Sequence, residues 1–158
     1  MVATAQQQER SRALGSTLPA GLAKDPEAAH LHALLEVAYL AASADGKLAD
    51  EEIQLLVVNL QSWLGEQLDS KFLVKLFDHL GTQLATDGFQ GRVAALAKQL
   101  DADSRLIAYR LACVTALVDH EVHDDELRVL EGIVDAFGIP NAEAQAIFDS
   151  LDEALTAI

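Results

Sequence analysis

The stretch from Val37 to Ile53 aligns without a gap on the stretch from Leu111 to Leu127, and this duplication constrains the fold more than any other feature of the chain. In this register Ala38 matches Ala112, Asp45 matches Asp119, Asp50 matches Asp124 and Glu52 matches Glu126. The apolar positions correspond as well: Leu40 with Val114, Leu48 with Val122, Ile53 with Leu127 and, just beyond, Leu56 with Leu130. Each copy reads as a helix, a short acidic turn carrying one inward apolar plug (Leu48 or Val122), and a second helix. Two copies separated this widely do not build a solenoid, which needs at least about three stacked repeats. They predict two helical hairpins related by an approximate two-fold within one bundle.

From Asp25 onward the apolar spacing is helical. Asp25-Pro26-Glu27 has the chemistry of a helix start: a capping carboxylate, a proline at the first position, then an acid in the first turn. The helix that follows puts Leu31, Leu34, Leu35, Ala38 and Ala42 on one stripe and ends at Asp45-Gly46. Asp50 is expected to cap a second helix, with Ile53, Leu56, Val57, Leu60, Trp63 and Leu64 inward and Gly65 as its stop. A third helix over 70–86 buries Phe72, Leu73, Leu76, Phe77, Leu80 and Leu84, and a fourth over 89–100 uses Val93, Leu96, Ala97 and Leu100. Asp103 caps a fifth, over 104–118, which is apolar on nearly every side and therefore central. Asp124 caps a sixth that ends at Gly138, with Leu127, Leu130, Val134 and Phe137 inward, and Pro140 opens a seventh. No stretch alternates with period two for long enough to compete as a strand. The expected fold is an all-α, single-domain bundle of about seven helices over 25–158, with two pseudo-symmetric hairpins. A mobile tail over 1–24, with a short helix around 3–14, precedes it.

Composition removes several function classes. A formal charge of −14 opposes any grip on phosphate backbones or on an anionic membrane surface. Nucleic acid is not an expected partner; cations and basic protein surfaces are. No segment reaches the ~20 consecutive apolar residues of a membrane span, and the run Gln6-Gln7-Gln8-Glu9-Arg10 lacks the apolar core of a signal peptide. Direct membrane insertion is therefore not expected, and the cytoplasm is the expected compartment. The single cysteine, Cys113, excludes an intramolecular disulfide and lies in an apolar run, where it reads as a buried small hydrophobe. Gly-rich phosphate loops, His-Glu-x-x-His and Gly-x-Ser-x-Gly are all missing, so the chain reads as a non-enzyme.

Both turns share the pattern Asp-x-x-x-x-Asp-x-Glu. Capping accounts for Asp50 and Asp124, at ~1 kcal/mol each, and the helix dipole accounts for Glu52 and Glu126. Neither accounts for Asp45 and Asp119, which end a preceding helix where the dipole disfavours a carboxylate. In a tight hairpin each faces the start of the next helix, and two carboxylates ~4 Å apart repel by ~1 kcal/mol in water and ~4 at a partly buried site. A hard cation held by oxygens from both helices relieves that repulsion. Asp45, Asp50, Glu52, Asp119, Asp124 and Glu126 are accordingly the candidate metal ligands, with Ca²⁺ or Mg²⁺ ahead of softer metals; acids that are merely solvated are the alternative. The turns are not EF-hands, whose Asp-x-Asp-x-Asp-Gly spacing and closing Glu they lack. His120 and His123 give the second turn donors suited to a transition metal, whereas His30 and His32 point to adjacent faces of their helix and do not converge.

The signature Ala-Asp-Gly-x-Leu-x-x-Glu-Glu at Ala44 to Glu52 recurs as Val118-Asp-His-Glu-Val-His-Asp-Asp-Glu-Leu127, followed by Phe137-Gly-Ile-Pro140. It resembles the hallmark of the TerB (tellurite-resistance B) family, to whose superfamily the N-terminal domain of DjlA-type co-chaperones also belongs. The resemblance covers most of residues 25–150. It implies an all-helical bundle with internal pseudo-symmetry, an acidic metal-binding surface, and a cytoplasmic role in tellurite or other chemical stress, often beside a TerC-type membrane partner. The family's acidic positions fall on Asp45, Asp50, Glu52, Asp119, Asp124 and Glu126. Two departures stand out: the family glycine is kept as Gly46 but replaced by His120 in the second copy, and Ala49 stands where a polar residue is common.

Two functions of different class follow. One is a metal-responsive module built on the duplicated turns. The other is a metal-free interaction adaptor, or co-chaperone-like domain, whose acidic hairpin faces a basic protein partner. Charge asymmetry favours the second: from Asp119 to Glu153 the chain carries eleven acids and a single base, Arg128. Lys71, Lys75, Arg92, Lys98, Arg105 and Arg110 make 71–110 a candidate second, basic surface.

Overall fold

A computed structural model describes residues 5–19, 28–44, 46, 48–65, 68–118 and 123–158, with backbone alone at 28 and 29. Seven helices form, and there is no strand among the described residues: α1 (Ala5–Gly15), α2 (Ala28–Ala42), α3 (Asp50–Leu64), α4 (Ser70–Gln99), α5 (Ala102–Leu117), α6 (Asp124–Phe137) and α7 (Asn141–Thr156). The all-α bundle expected from periodicity is what the chain builds. Among the described residues no helix is long and apolar enough to cross a membrane.

α2 and α5, the first helices of the two repeats, pack on each other more extensively than any other pair. Sequence reasoning makes α5 alone central. In the structure α2 shares that place, being buried from Ala33 through Ala41, while α5 is buried over 108–118 except at Arg110. Small buried side chains recur on both helices, at Ala33, Ala38 and Ala41 of α2 and at Ala108, Ala112 and Ala116 of α5. Around this pair, α4 crosses α2 and α6, α7 lies on α5 and α1, and α1 leans on α3, α7 and α5. Two residues expected inside sit at the rim: Phe72, 38% exposed, beside the ring of His32, and Leu127, 39% exposed.

The expected division at 86–89 falls at Gly88, whose φ of 76° and ψ of 164° interrupt an otherwise continuous α4. Thr82 and Thr86 donate their hydroxyls to the carbonyls of Asp78 and Thr82, back-bonding that eases a helix into a bend.

Helix caps fall earlier than expected. Asp101, not Asp103, caps α5, accepting the Ser104 N–H at 2.8 Å. Bonds from Ser104 hold the Asp101 carboxyl below the usual carboxylate range. Asp50 and Asp124 are not caps but first helical residues; Ala49 and His123 occupy the extended cap positions. Glu52 and Glu126 reach back to accept the N–H groups of Ala49 and His123 at 3.0 and 3.2 Å. A glutamate three residues in thus closes half of a capping box from its own side, whatever residue stands at the cap.

The stretch 1–24, expected as a mobile tail, holds its short helix as α1, and α1 is docked rather than free. The Trp63 indole N–H donates to both the carbonyl and the hydroxyl of Ser11 at 3.0 Å, and the Ser11 hydroxyl donates to Asn59 Oδ1 at 3.1 Å. Arg10 Nε donates to the Leu117 carbonyl at 2.7 Å, and Leu14 is wholly buried. Sequence periodicity misses this because α1 is held mainly by polar anchors. Residues 1–4 and 20–27, with the expected start at Asp25-Pro26-Glu27, lie outside the described residues.

Glu36, only 5% exposed, interrupts the apolar run of α2. Arg92 closes on it as a fork, Nε to Oε2 at 2.7 Å and Nη2 to Oε1 at 2.9 Å, and reaches Asp87 through Nη1 at 3.1 Å. Glu36→Ala leaves the largely buried Arg92 guanidinium with the exposed Asp87 as its one carboxylate partner and is expected to lower stability in urea melts by about 3 kcal/mol. A Glu36→Leu, Arg92→Met double variant should recover most of that loss. A Cβ on Gly15 would stand 2.3 Å from Trp63 Cδ1, so Gly15→Val is expected to undock α1. The sole tryptophan reports it: Trp63 emission should shift to the red while helical circular dichroism stays near wild type.

Candidate functional site

The C-terminal ends of α2 and α5 come together with the N-terminal turns of α3 and α6. A cleft of about 280 Å³ lies between these four ends. Its walls include two pairs equivalent in the duplication, Ala42 with Ala116 and Glu52 with Glu126. The buried plug of the first turn, Leu48, closes one side; its counterpart Val122 lies outside the described residues. Asn59 and Thr115 add polar atoms at the back, and His123 and Asp125 come from the second copy.

Of the six candidate ligands, the cleft brings together Glu52 and Glu126. Asp50 and Asp124 are exposed on the first helical turns and do not line it. Asp45 and Asp119 lie outside the described residues, as does His120. Among the described residues no group of three or more His, Cys, Asp or Glu side chains is arranged to hold a metal ion.

The charge at this site is set by helix ends. Asp50, Glu51 and Glu52 fill the first turn of α3, and Asp124, Asp125 and Glu126 that of α6. The first N–H groups of each helix lie outside its own backbone ladder, and their partial positive charge stabilises each nearby carboxylate by ~0.3–1 kcal/mol. Arg128 reaches Asp125 at 3.2 Å, but both side chains are more than half exposed, so solvent screens the pair. Glu52, Asp125, Glu126, the Asn59 amide and the Thr115 hydroxyl supply hard oxygen donors, and His123 a single imidazole. That donor chemistry fits Ca²⁺ or Mg²⁺ better than a thiophilic metal. All five oxygen groups have partners already: Glu52 and Glu126 accept the N–H groups of Ala49 and His123, Asp125 accepts from Arg128, Asn59 Oδ1 accepts from Ser11, and the Thr115 hydroxyl donates to the Leu111 carbonyl at 2.8 Å.

Sequence reasoning misses Asn59, Thr115 and Asp125. The first two carried a usable signal, as polar residues on the buried faces of apolar helices; Asp125 carried none, because it is one acid in a run of three. The basic surface expected over 71–110 is largely absent. Arg92 is taken by Glu36, and Arg110 donates to the Ser150 hydroxyl at 2.8 Å. Arg105 donates to the carbonyls of Leu100, Phe137 and Ala97. Lys71, Lys75 and Lys98 remain exposed.

Cys113 is wholly buried, and burial pushes its thiol up to about 12, against a small opposing pull from Tyr109. The neutral thiol is inert toward alkylation. At about pH 8 a thiol reagent is expected to leave the native protein unmodified and to label it once denaturant unfolds it; rapid native labelling would show that α5 is not closed. Because the folded thiol holds its proton more tightly than the unfolded one, its effect on stability is constant below the unfolded value of 9.0. Stability should then fall as pH rises through 9 toward the folded value of about 12.

A family model described as Tellurite resistance protein TerB matches residues 24–148. No curated protein and no solved structure matches the chain.

Proposed function

Because the chain belongs to the TerB family of tellurite resistance proteins, we propose that it is a non-enzymatic, cation-responsive module that acts in the cytoplasm in tellurite or related chemical stress, beside a membrane partner of the TerC type. Its candidate ligands are the acids of both copies of the turn, Asp45, Asp50, Glu52, Asp119, Asp124 and Glu126. One observation carries this reading. Glu52 and Glu126, equivalent in the duplication, line the same cleft, so a single ion between the hairpins draws on both. Such an ion neutralises charge on two turns at once and ties the hairpins together.

A second reading, a metal-free adaptor for a basic partner, is favoured by a different observation. Both glutamates already accept an N–H at the start of their own helices, a role that needs no ion.

Calorimetry on metal-stripped protein separates the two. The cation module is expected to give binding heat with Ca²⁺ or Mg²⁺ and a raised melting temperature. At free cation about 100 times Kd the gain is about 2.7 kcal/mol, or roughly 2–4 °C per kcal/mol for a domain of this size. Asp45→Asn with Asp119→Asn should abolish both signals. No heat and no shift at millimolar cation would leave the adaptor reading standing alone.

A further inference from the structure

We propose that the groove between α6 and α7 receives an amphipathic helix of a partner protein, with its apolar face on Leu127 and Phe148 and its Lys or Arg side chains against Glu131 and Asp135. The groove has a volume of about 420 Å³, within the ~300–1,000 Å³ range of binding clefts. Its floor is apolar and closed, formed by Leu130, Val134 and Ala144, each no more than 9% exposed. Leu127 at 39% exposure and the half-buried Phe148 stand as its walls.

The groove exists because the duplication is imperfect. In the first copy α3 packs closely on α4, the helix that follows it. In the second copy α7 packs on α5 and α1 and meets α6 much less closely. Ile53, the counterpart of Leu127, is half-buried, while Leu127 is exposed. The second hairpin thus leaves an apolar groove open where α6 meets the helix that follows it only weakly. A helix laid in it is the occupancy its geometry fits, and helix-in-groove recognition reads anchors at i, i+3 or i+4 and i+7.

Charge selects the kind of helix. Glu131 and Asp135 stand at the rim, and Arg128 is the only base on α6 and α7, engaged by Asp125. A Lys- or Arg-flanked helix is attracted to such a surface, and an acidic one is repelled. The same argument disfavours a second copy of this chain, which carries −14 and the same acidic faces. This groove involves none of the six candidate cation ligands, so the proposal stands apart from the cation reading.

The test uses a labelled amphipathic peptide of about 15 residues, built of Leu and Lys, titrated against the full chain by fluorescence anisotropy. A shuffled peptide of the same composition without an apolar face is the comparison. Binding near the micromolar range is expected for the amphipathic peptide, at least ~10-fold tighter than for the shuffled one. Leu127→Lys and Glu131→Lys should each weaken it ~10-fold or more, whereas Glu52→Gln with Glu126→Gln should not, with or without Mg²⁺. Circular dichroism verifies that the variants fold; if Leu127→Lys does not, amide shifts of Leu127, Ala144 and Phe148 on adding peptide to wild type give the location. Equal binding of the shuffled peptide, no loss in Leu127→Lys, or shifts confined to the cleft between the acidic turns would each overturn the proposal.

Discussion

Ala38 and Ala112 are equivalent positions of the duplication, and both are wholly buried. With Ala33 and Ala41 on one helix and Ala108 and Ala116 on the other, they give the two helices small buried side chains, and α2 and α5 pack on each other more extensively than any other pair. Everything else is arranged around this contact. The C-terminal ends of both central helices and the first turns of α3 and α6 line one cleft, so the two copies meet at the same end of the bundle.

Concentrating acids at that end has an electrostatic consequence. In a chain of net charge −14, the two first turns that face each other carry three carboxylates each. Helix-end N–H groups offset part of the repulsion locally, and solvent screens more of it. What they do not offset is repulsion between the hairpins, which the proposed cation shared by both copies would relieve. The capping bonds of Glu52 and Glu126 fix where their carboxylates stand with or without an ion.

The two halves differ outside their shared core. α1 is tied to α3 by the polar contacts of Ser11 with Trp63 and Asn59, and Leu14 and the following Leu18 are buried. The later part of α4 covers α6, where Phe89 lies so close to Gly132 that a Cβ there would stand 2.5 Å from the ring. The Glu36–Arg92 fork fastens that part of α4 to α2. An ion pair this deep is a costly way to gain stability, but it permits one register of α4 on α2, since any other leaves a buried charge unpaired. The duplication provides a symmetric frame, and these unequal covers decide which faces stay open.

Sequence alone determined the helices, their number, their approximate ends and the pairing of the two hairpins, because apolar periodicity and a gapless repeat are local or directly comparable along the chain. It also placed the break at Gly88 and the burial of Cys113. Only the tertiary structure decided where the polar exceptions go. Glu36 reads as an unexplained acid in an apolar helix until Arg92, far along the chain, meets it, and the basic surface over 71–110 dissolves once its arginines turn to carbonyls and carboxylates. The caps moved by a residue or two because α3 and α6 close their first turns with a glutamate and α5 with the Asp101 carboxylate, choices that spacing along the chain does not rank. The docking of α1 rests on a tryptophan and two small polar residues distant in sequence, and the exposure of Leu127 on how α7 leans. Those outcomes depend on which surfaces meet, and a pattern read along one dimension does not contain that information.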